Sequence, residues 1–238
     1  MSNETFYRGN DSYSDFLNSQ DNEIFRKYVD LIERFTQEGD TVLDVGCGAG
    51  NMLDIARKQM QERVFAGIDI SDTSVSTCLS KGLNVNQYDG KTIPADDDSF
   101  SVVGSLNVLE HTDDPENFLN EKLRVLKPGG NLIIACPNFL SITNSYHDRT
   151  RGIVRKIQNI FELGARLFRR KLVWEKMPTA KREIFRPDDD ACNVTNPLDV
   201  MNWARTNNLG RIFWSSQIIY RKGILSYLDA FPPFRLAL

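Results

Sequence analysis

Two acids and a set of alternating glycines have the types and spacing to hold a charged ligand. The chain reads T-V-L-D-V-G-C-G-A-G-N from residue 41, so an acid precedes glycines at alternate positions. These residues are Asp44, Gly46, Gly48 and Gly50. Because glycine has no Cβ, a ligand can lie against its backbone, and the tight turn can adopt positive φ. A second acid, Asp69, follows about 20 residues beyond the glycines, where a carboxylate can bind two neighbouring ribose hydroxyls.

Alternating strand and helix patterns position these residues. Thr41–Val45 is a β-branched and aliphatic run typical of a buried parallel strand, and helix-forming residues follow the glycines. A strand, a glycine turn and a helix open a mononucleotide-binding βαβ unit, with the ligand at the carboxyl end of the strand. Val64–Ile70 is predicted to be the second strand. Asp69 could instead cap the next helix, but Asp72 or Ser71 fits that cap better.

The spacing of the glycines separates two kinds of cofactor site. A dinucleotide fold has G-x-G-x-x-G, whereas the sixth position here is Asn51 and the third glycine comes one residue early. V-L-D-V-G-C-G-A-G resembles motif I of the class I S-adenosylmethionine (SAM)-dependent methyltransferases. The resemblance implies that the glycine backbone faces the methionine part of SAM and that Asp44 positions its ammonium group. It also implies that Cys47 and Ile70 belong to the cofactor site.

Two later stretches resemble further motifs of the same family, particularly its small-molecule, methyltransferase type 11-like branch. They read P-A-D-D-D-S-F-S-V-V-G-S-L-N-V-L-E-H-T-D-D-P and L-R-V-L-K-P-G-G-N-L-I-I. The resemblance covers roughly residues 40–138 and implies that Leu106 and Asn107 line the cofactor pocket. It also implies that Asp89, followed by Gly90, accepts a hydrogen bond from the adenine amino group. Loop composition alone would also explain an Asp-Gly turn.

The strand and helix patterns predict an α/β protein with a Rossmann-like, doubly wound sheet of seven strands. The sheet is expected to be mostly parallel with an antiparallel closing strand, and a helical insertion follows strand five. The predicted strands are 41–45, 64–70, 83–88, 100–106, 131–136, 211–214 and 217–220. The predicted helices after the glycine loop are 74–81, 116–126, 150–174 and 198–206, and another precedes it at 23–35.

We expect a single methyltransferase domain in four parts. They are an N-terminal lid and helix (1–38), a SAM-binding core (39–138), a substrate-side helical insertion (139–195) and a closing helix, strands and tail (196–238). The first segment is predicted to fold over the cofactor, with Arg8 or Tyr13 reaching its carboxylate. A frayed terminal arm would explain the same polar composition.

The two histidines, His111 and His147, are the candidates for a catalytic base. Methyl transfer from a sulfonium is an in-line displacement, so the enzyme supplies alignment and, for a hydroxyl acceptor, a base or metal. His147 follows strand five, where this fold places its substrate-side loop, and Asp148 could orient it. A packed or surface histidine explains either position as well. No carboxylate–histidine cluster has metal-binding spacing, so we expect no metal.

The predicted helix from Thr150 to Trp174 is amphipathic and basic. Its apolar residues recur at helical spacing, and the other positions carry arginine and lysine against Glu162 alone. Such a helix can lie on an anionic membrane, or it can cap the active site over an anionic substrate. It can also simply pack one face on the protein and expose the other face to solvent. Insertions after strand five commonly build the substrate side in the resembled family, so a cap is the preferred interpretation.

Composition places the chain among ordinary globular proteins. Its 238 residues are 41% hydrophobic and 26% charged, and the formal net charge of −3 gives no reason to expect nucleic acid. The four cysteines form no C-x-x-C pair, the N-terminus lacks a signal-peptide pattern, and no apolar run approaches a membrane span. We therefore expect reduced thiols, a cytoplasmic location and a monomer or homodimer.

These observations predict a methyltransferase that uses SAM and releases S-adenosylhomocysteine. The preferred acceptor is a hydroxyl oxygen of a small molecule or glycan, including an anionic one. The alternatives are N- or C-methylation on the same scaffold, or a SAM-binding protein without transfer activity that acts through its basic helix. The N-P-P-Y type motif of the family's DNA-adenine and glutamine methylating branches is absent, since Ser105–Val108 stands in its place.

Overall fold

The structure, a computed structural model, describes residues 22–143, 147–168, 172–178, 188 and 190–210. The chain forms two compact units, Met1–Cys136 and Pro137–Leu238. The predicted lid with Arg8 and Tyr13 lies outside the described residues, as do the predicted closing strands 211–214 and 217–220. These elements stay predictions.

A parallel sheet of five strands forms the described centre of the first unit. The strands are β1 (Thr41–Val45), β2 (Val64–Asp69), β3 (Val85–Gln87), β4 (Phe100–Leu106) and β5 (Leu126–Ala135). Their order across the sheet is β3-β2-β1-β4-β5, and every neighbouring pair is parallel. The predicted Rossmann-like α/β architecture is therefore confirmed for its five parallel strands.

Two strands differ from the prediction by two or more residues at an end, and β2 ends one residue earlier than predicted. β5 begins at Leu126 rather than at Asn131, because Leu126 already pairs with Phe100 of β4 ahead of a register shift. β3 is confined to Val85–Gln87, where it pairs with the end of β2.

Four α-helices accompany the strands in the described part of this unit. They are α1 (Asn22–Arg34), α2 (Asn51–Gln59), α3 (Asp72–Ser80) and α4 (Pro115–Val125). Ser71 caps α3 as predicted, since its Oγ accepts a hydrogen bond from Ser74 N at 3.3 Å. Across the sheet, β2 and β3 follow on one side of β1, and β4 and β5 follow on its other side. Right-handed crossovers then place α2 and α3 on one face of the sheet and α4 on the opposite face.

Helix α1 covers the face of the sheet that carries Val42 and Val102. Its buried residues Tyr28 and Ile32 belong to the same core cluster as these valines. The Tyr28 hydroxyl lies over Gly104 in β4, in the space that a Cβ would occupy. Close packing of this kind leaves no room for an added methyl group.

We expect Gly104→Ala to lower the free energy of unfolding by about 1–3 kcal/mol, because the new methyl group collides with the buried Tyr28 hydroxyl. Urea unfolding measures the loss. The double variant Tyr28→Phe/Gly104→Ala is the matched control, because it removes the hydroxyl and should recover most of the lost stability. A single variant as stable as the parent chain would contradict this packing.

The first described helix of the second unit is α5 (Ile153–Phe168), which is shorter than the predicted helix 150–174. It begins after Gly152, whose φ of +84° is not helical, and residues 172–178 are not helical either. Within that segment Lys176 forms an isolated antiparallel bridge with Asn193. The predicted length is therefore wrong at both ends.

The second described helix of this unit, α6 (Pro197–Thr206), begins one residue before the predicted range 198–206 and ends with it. Asn196 Oδ1 accepts a hydrogen bond from Asp199 N at 3.1 Å, and Pro197 occupies the first turn. Among the described residues of this unit, one cluster of buried apolar side chains consists of Phe139, Leu140, Met177, Ala191 and Val194.

Candidate functional site

The loop between β1 and α2 carries the three alternating glycines at the carboxyl edge of the sheet. Gly46, Gly48 and Gly50 have φ values of +78°, +52° and +77°, so each adopts the left-handed conformation that the sequence analysis anticipates. The backbone N–H groups of Gly46 and Cys47 both donate to Ile68 O, at 2.8 and 3.1 Å. The start of the loop is therefore fixed to the end of β2.

Two of these glycines are required by the protein's own packing as well as by their backbone angles. A Cβ on Gly46 would lie 2.5 Å from Val108 Cγ2, and one on Gly50 would lie 2.8 Å from Cys78 Sγ. From the sequence, the glycines are expected for the approach of a ligand and for a tight turn, and the contacts with Val108 and Cys78 are not predicted. Neither contact leaves a sequence signal, because both join residues far apart in the chain.

Asp69, at the end of β2, joins the glycine loop to the start of α3. Its Oδ2 accepts a hydrogen bond from Gly48 N at 2.8 Å, and its Oδ1 accepts one from Ser71 N at 2.9 Å. Burial raises the pKa of Asp69, and these backbone N–H groups partly oppose that shift. Each oxygen thus accepts a backbone N–H, and the remaining lone pairs of the carboxylate can accept from a ligand hydroxyl.

Asp44 lies in β1 immediately before the loop, and its side chain is only 3% exposed. Its Oδ1 has no hydrogen-bond partner among the described residues. Burial raises the pKa of Asp44 to about 7, and the ammonium group of Lys122 opposes that shift. A buried carboxylate oxygen without a partner is costly, so this atom is suited to a cationic ligand.

Lys122 of α4 is a part of this site that sequence reasoning missed. The side chain is fully buried, and its Nζ donates to Gly104 O at 3.1 Å. Gly104 is the partner of Asp44 in the register of β4 against β1. The sequence does contain a signal, because Lys122 occupies an inward position on a helix whose other inward residues are apolar. Those residues are Phe118, Leu119 and Val125.

The ends of β2 and β3 bring two further predicted residues together. A Cβ on Gly90 would lie 3.3 Å from Ile70 Cγ2, so the two residues are neighbours. Asp89 is exposed, and its Oδ1 accepts hydrogen bonds from Lys91 N and Thr92 N, both at 2.8 Å. These bonds lower the pKa of Asp89, which keeps its carboxylate ionised beside the site.

The predicted pocket residues at the end of β4 are Leu106 and Asn107. Leu106 is half-buried against the core. Asn107 is exposed with a φ of +54°, and its N–H donates to Ala135 O at 2.8 Å. Because Val108 packs on Gly46, this turn lies beside the glycine loop.

Cys47 contributes its backbone to the loop, while its side chain faces the core. The residue is 8% exposed and belongs to the core cluster beneath the loop. A Cβ on Gly67 would lie 2.9 Å from Cys47 Sγ, which places the thiol against β2. A cofactor-binding role for Cys47 is therefore limited to its main chain.

The two predicted catalytic histidines lie in different units. His111 ends a 3₁₀ turn (Leu109–His111) after β4, and its Nε2 lies 3.6 Å from Oε1 of the buried Glu110. In the second unit His147 Nδ1 accepts a hydrogen bond from Arg149 N at 3.2 Å, and the ring packs edge-on against Phe139. Both catalytic roles stay predictions.

The residues at the carboxyl edge of the sheet fit the cofactor that the sequence resemblance implies. Asp44 offers an unpartnered buried oxygen to a cationic amine, and Asp69 offers remaining lone pairs to a diol. Gly48 adopts a left-handed conformation and donates its N–H to Asp69. These groups are therefore compatible with the predicted roles of Asp44 and Asp69, which stay predictions.

Comparison with known proteins gives a family match to the same region. Residues 43–134 match a family model described as a methyltransferase domain. An uncharacterized 37.1 kDa protein in transposon TN4556 of Streptomyces fradiae is 33% identical over 171 residues, which cover 66% of this chain and 49% of that protein.

Two further relatives have functional names. A ubiquinone biosynthesis O-methyltransferase of Coxiella burnetii is 28% identical over 123 residues, 49% of this chain and 51% of the relative. A probable S-adenosylmethionine-dependent methyltransferase of Mycolicibacterium smegmatis is 29% identical over 142 residues, 55% of this chain and 54% of the relative. The chain thus spans about half the length of the curated relatives it matches.

Proposed function

We propose that this chain, which carries a class I SAM-dependent methyltransferase domain, transfers the methyl group of SAM to a hydroxyl oxygen of a small-molecule or glycan acceptor. The observation that carries the proposal is the buried Asp44 carboxylate, whose Oδ1 has no partner in the described part of the chain, beside the glycine loop. An oxygen acceptor is supported by the O-methyltransferase name of the Coxiella relative.

Each residue of the site has a role in this proposal. Asp44 binds the ammonium group of SAM, and the methionine part lies against the open backbone of the glycine loop. Asp69 accepts hydrogen bonds from the ribose hydroxyls. Asp89, with Gly90, accepts from the adenine amino group. The pocket wall beside the adenosine part comes from Ile70, Leu106 and Asn107.

The acceptor side needs a base, because a hydroxyl is a poor nucleophile until it loses its proton. When bound, SAM supplies an electrophilic methyl group on a sulfonium centre. As the acceptor oxygen bonds to that carbon, the carbon–sulfur bond breaks and the hydroxyl proton passes to the base. His111 or His147 is the proposed base, and alignment of oxygen, carbon and sulfur provides the rest of the acceleration.

Calorimetric titration with SAM and with S-adenosylhomocysteine tests the cofactor part of the proposal. Micromolar binding of both is expected. Transfer of labelled methyl from SAM to a panel of phosphorylated and free sugars then tests the acceptor part. If the protein bound neither SAM nor S-adenosylhomocysteine, the whole proposal would be overturned. If it bound them but transferred no methyl group to a hydroxyl compound, only the assignment of an oxygen acceptor would be overturned.

Asp44 should make SAM binding dependent on pH. Its carboxyl has a pKa of about 7, so the protein alone keeps a proton on Asp44 at lower pH, and that proton must leave when the cationic amine binds. We expect affinity to rise up to about tenfold per pH unit below pH 7 and to level off above it. Calorimetry in two buffers of different ionisation enthalpy should detect the released proton.

Two substitutions serve as controls for this dependence. Asp44→Asn should weaken binding and abolish the pH slope, because the titrating group is gone. Asp89→Asn should weaken binding but keep the slope, because its N–H partners lower the pKa of the Asp89 carboxyl and it is ionised throughout. A slope that survives Asp44→Asn would assign the titration to another group.

A further inference from the structure

Helix α5 is oriented with its apolar side outward. The buried residues of the helix are Asn159 and Arg166, which are polar and charged. The exposed apolar residues are Ile153, Val154, Ile157, Ile160, Phe161, Leu167 and Phe168. At 100° per residue they form one continuous stripe about 140° wide along the helix. We call this stripe the α5 apolar face.

Polar contacts explain why the helix lies this way round. Asn159 Nδ2 donates to Arg149 O at 2.9 Å and to Ser141 O at 3.3 Å, and Arg166 is 1% exposed. The Arg166 guanidinium pairs with Asp199 at 3.0 Å and with Glu175 at 2.8 Å. Rotating the helix to bury its apolar face would break these bonds and leave buried charges unpaired.

The exposure is too large to be incidental. Phe161 is 73% exposed and Phe168 is 88% exposed, on the same side of one helix. Isolated exposed apolar residues are normal on protein surfaces, but a contiguous apolar stripe indicates a binding surface. The exposed face of α5 is therefore the apolar one, and the packed face carries the buried polar residues.

Positively charged residues lie within α5 and beside it in the sequence, and Arg151 and Lys156 are among the described ones. The acid of the helix, Glu162, points inward and pairs with Arg149 and Arg155 at 3.3 and 3.4 Å. Arg151 and Lys156 have no ion pair within the described ranges. In the sequence, the residues that follow Phe168 are Arg169, Arg170 and Lys171.

We propose that the α5 apolar face docks on an anionic lipid membrane, lying in the plane of the headgroups. Apolar side chains enter the interface while flanking cations bind anionic headgroups, which is the arrangement of interfacial amphipathic helices. A helix of this length reaches only about 24 Å, and none in the described part of the chain is long and apolar enough to cross a membrane. A second copy of the chain is disfavoured, because an isologous contact would bring the same cations together.

Vesicle flotation with the full chain tests the proposal. We expect binding to mixed phosphatidylcholine–phosphatidylglycerol vesicles, weaker binding to phosphatidylcholine alone, and loss of the difference at high salt. Phe161→Glu should reduce the affinity for anionic vesicles about tenfold or more, because it puts a charge into the apolar stripe. Lys156→Glu should reduce it about tenfold at low salt only.

Leu79→Glu is the matched control, because Leu79 is also an exposed apolar helical residue, at 56%, and lies on α3 outside the stripe. It should leave vesicle binding unchanged, and far-ultraviolet circular dichroism should confirm that all three variants fold. Membrane docking would be overturned if the full chain bound no vesicles. It would also be overturned if the chain were a dimer and Phe161→Glu dissociated that dimer. The readout does not depend on methyl transfer, so this proposal and the proposed function fail separately.

Discussion

Asp69→Ala is expected to lower the affinity for SAM about 100-fold. In the proposed site the Asp69 carboxylate binds two ribose hydroxyls, and hydrogen bonds to a charged group contribute about 1.5–3 kcal/mol each. Losing both is therefore sufficient for two orders of magnitude in the dissociation constant. Calorimetry with SAM measures the change directly.

The same substitution also removes a structural contact, so the measurement needs a control. Asp69 accepts hydrogen bonds from Gly48 N and Ser71 N, and its loss leaves both donors without this acceptor. The melting temperature should fall, and affinities must be compared well below it. Asp72→Ala changes an exposed acid in the first turn of α3 and should leave SAM affinity unaltered. An Asp69→Ala variant that stays folded and binds SAM as tightly as the parent would refute the ribose role.

Arg166→Met is expected to destabilise the second unit by about 3–5 kcal/mol, the usual cost of removing one member of a buried ion pair. The guanidinium is almost fully buried, and it donates from Nε to Asp199 Oδ2 at 3.0 Å and from Nη2 to Glu175 Oε2 at 2.8 Å. Without it, Asp199 keeps the Asn196 amide at 2.6 Å but loses its positive partner. Methionine preserves side-chain length and helix propensity, so the effect reports the lost charge.

Urea unfolding of the full chain measures this loss, and Arg205→Met is its control. Arg205 lies exposed on α6 and makes no ion pair in the described segments, so its replacement should change stability by less than about 0.5 kcal/mol. The double variant Arg166→Met/Asp199→Asn should recover part of the loss, because it removes the stranded carboxylate. A loss below about 1 kcal/mol for Arg166→Met would contradict the buried ion pair.

The sequence by itself determined the framework of the first unit. β-branched runs and glycine turns predicted the five parallel strands, because local composition and period decide which segments become strands. The alternating glycines predicted positive φ at Gly46, Gly48 and Gly50, since few other residues adopt it cheaply. The helix cap at Ser71 was also predictable, because a cap depends on residues within one turn.

Only the tertiary structure decided which polar side chains are buried and which face of a helix is exposed. Lys122 lies near Asp44, and Arg166 pairs with Asp199, through contacts between residues far apart in the chain. Periodicity predicted that α5 has an apolar face and a charged face, but it cannot say which one turns inward. That choice depends on whether distant residues offer partners for a buried charge, which is a property of the folded chain.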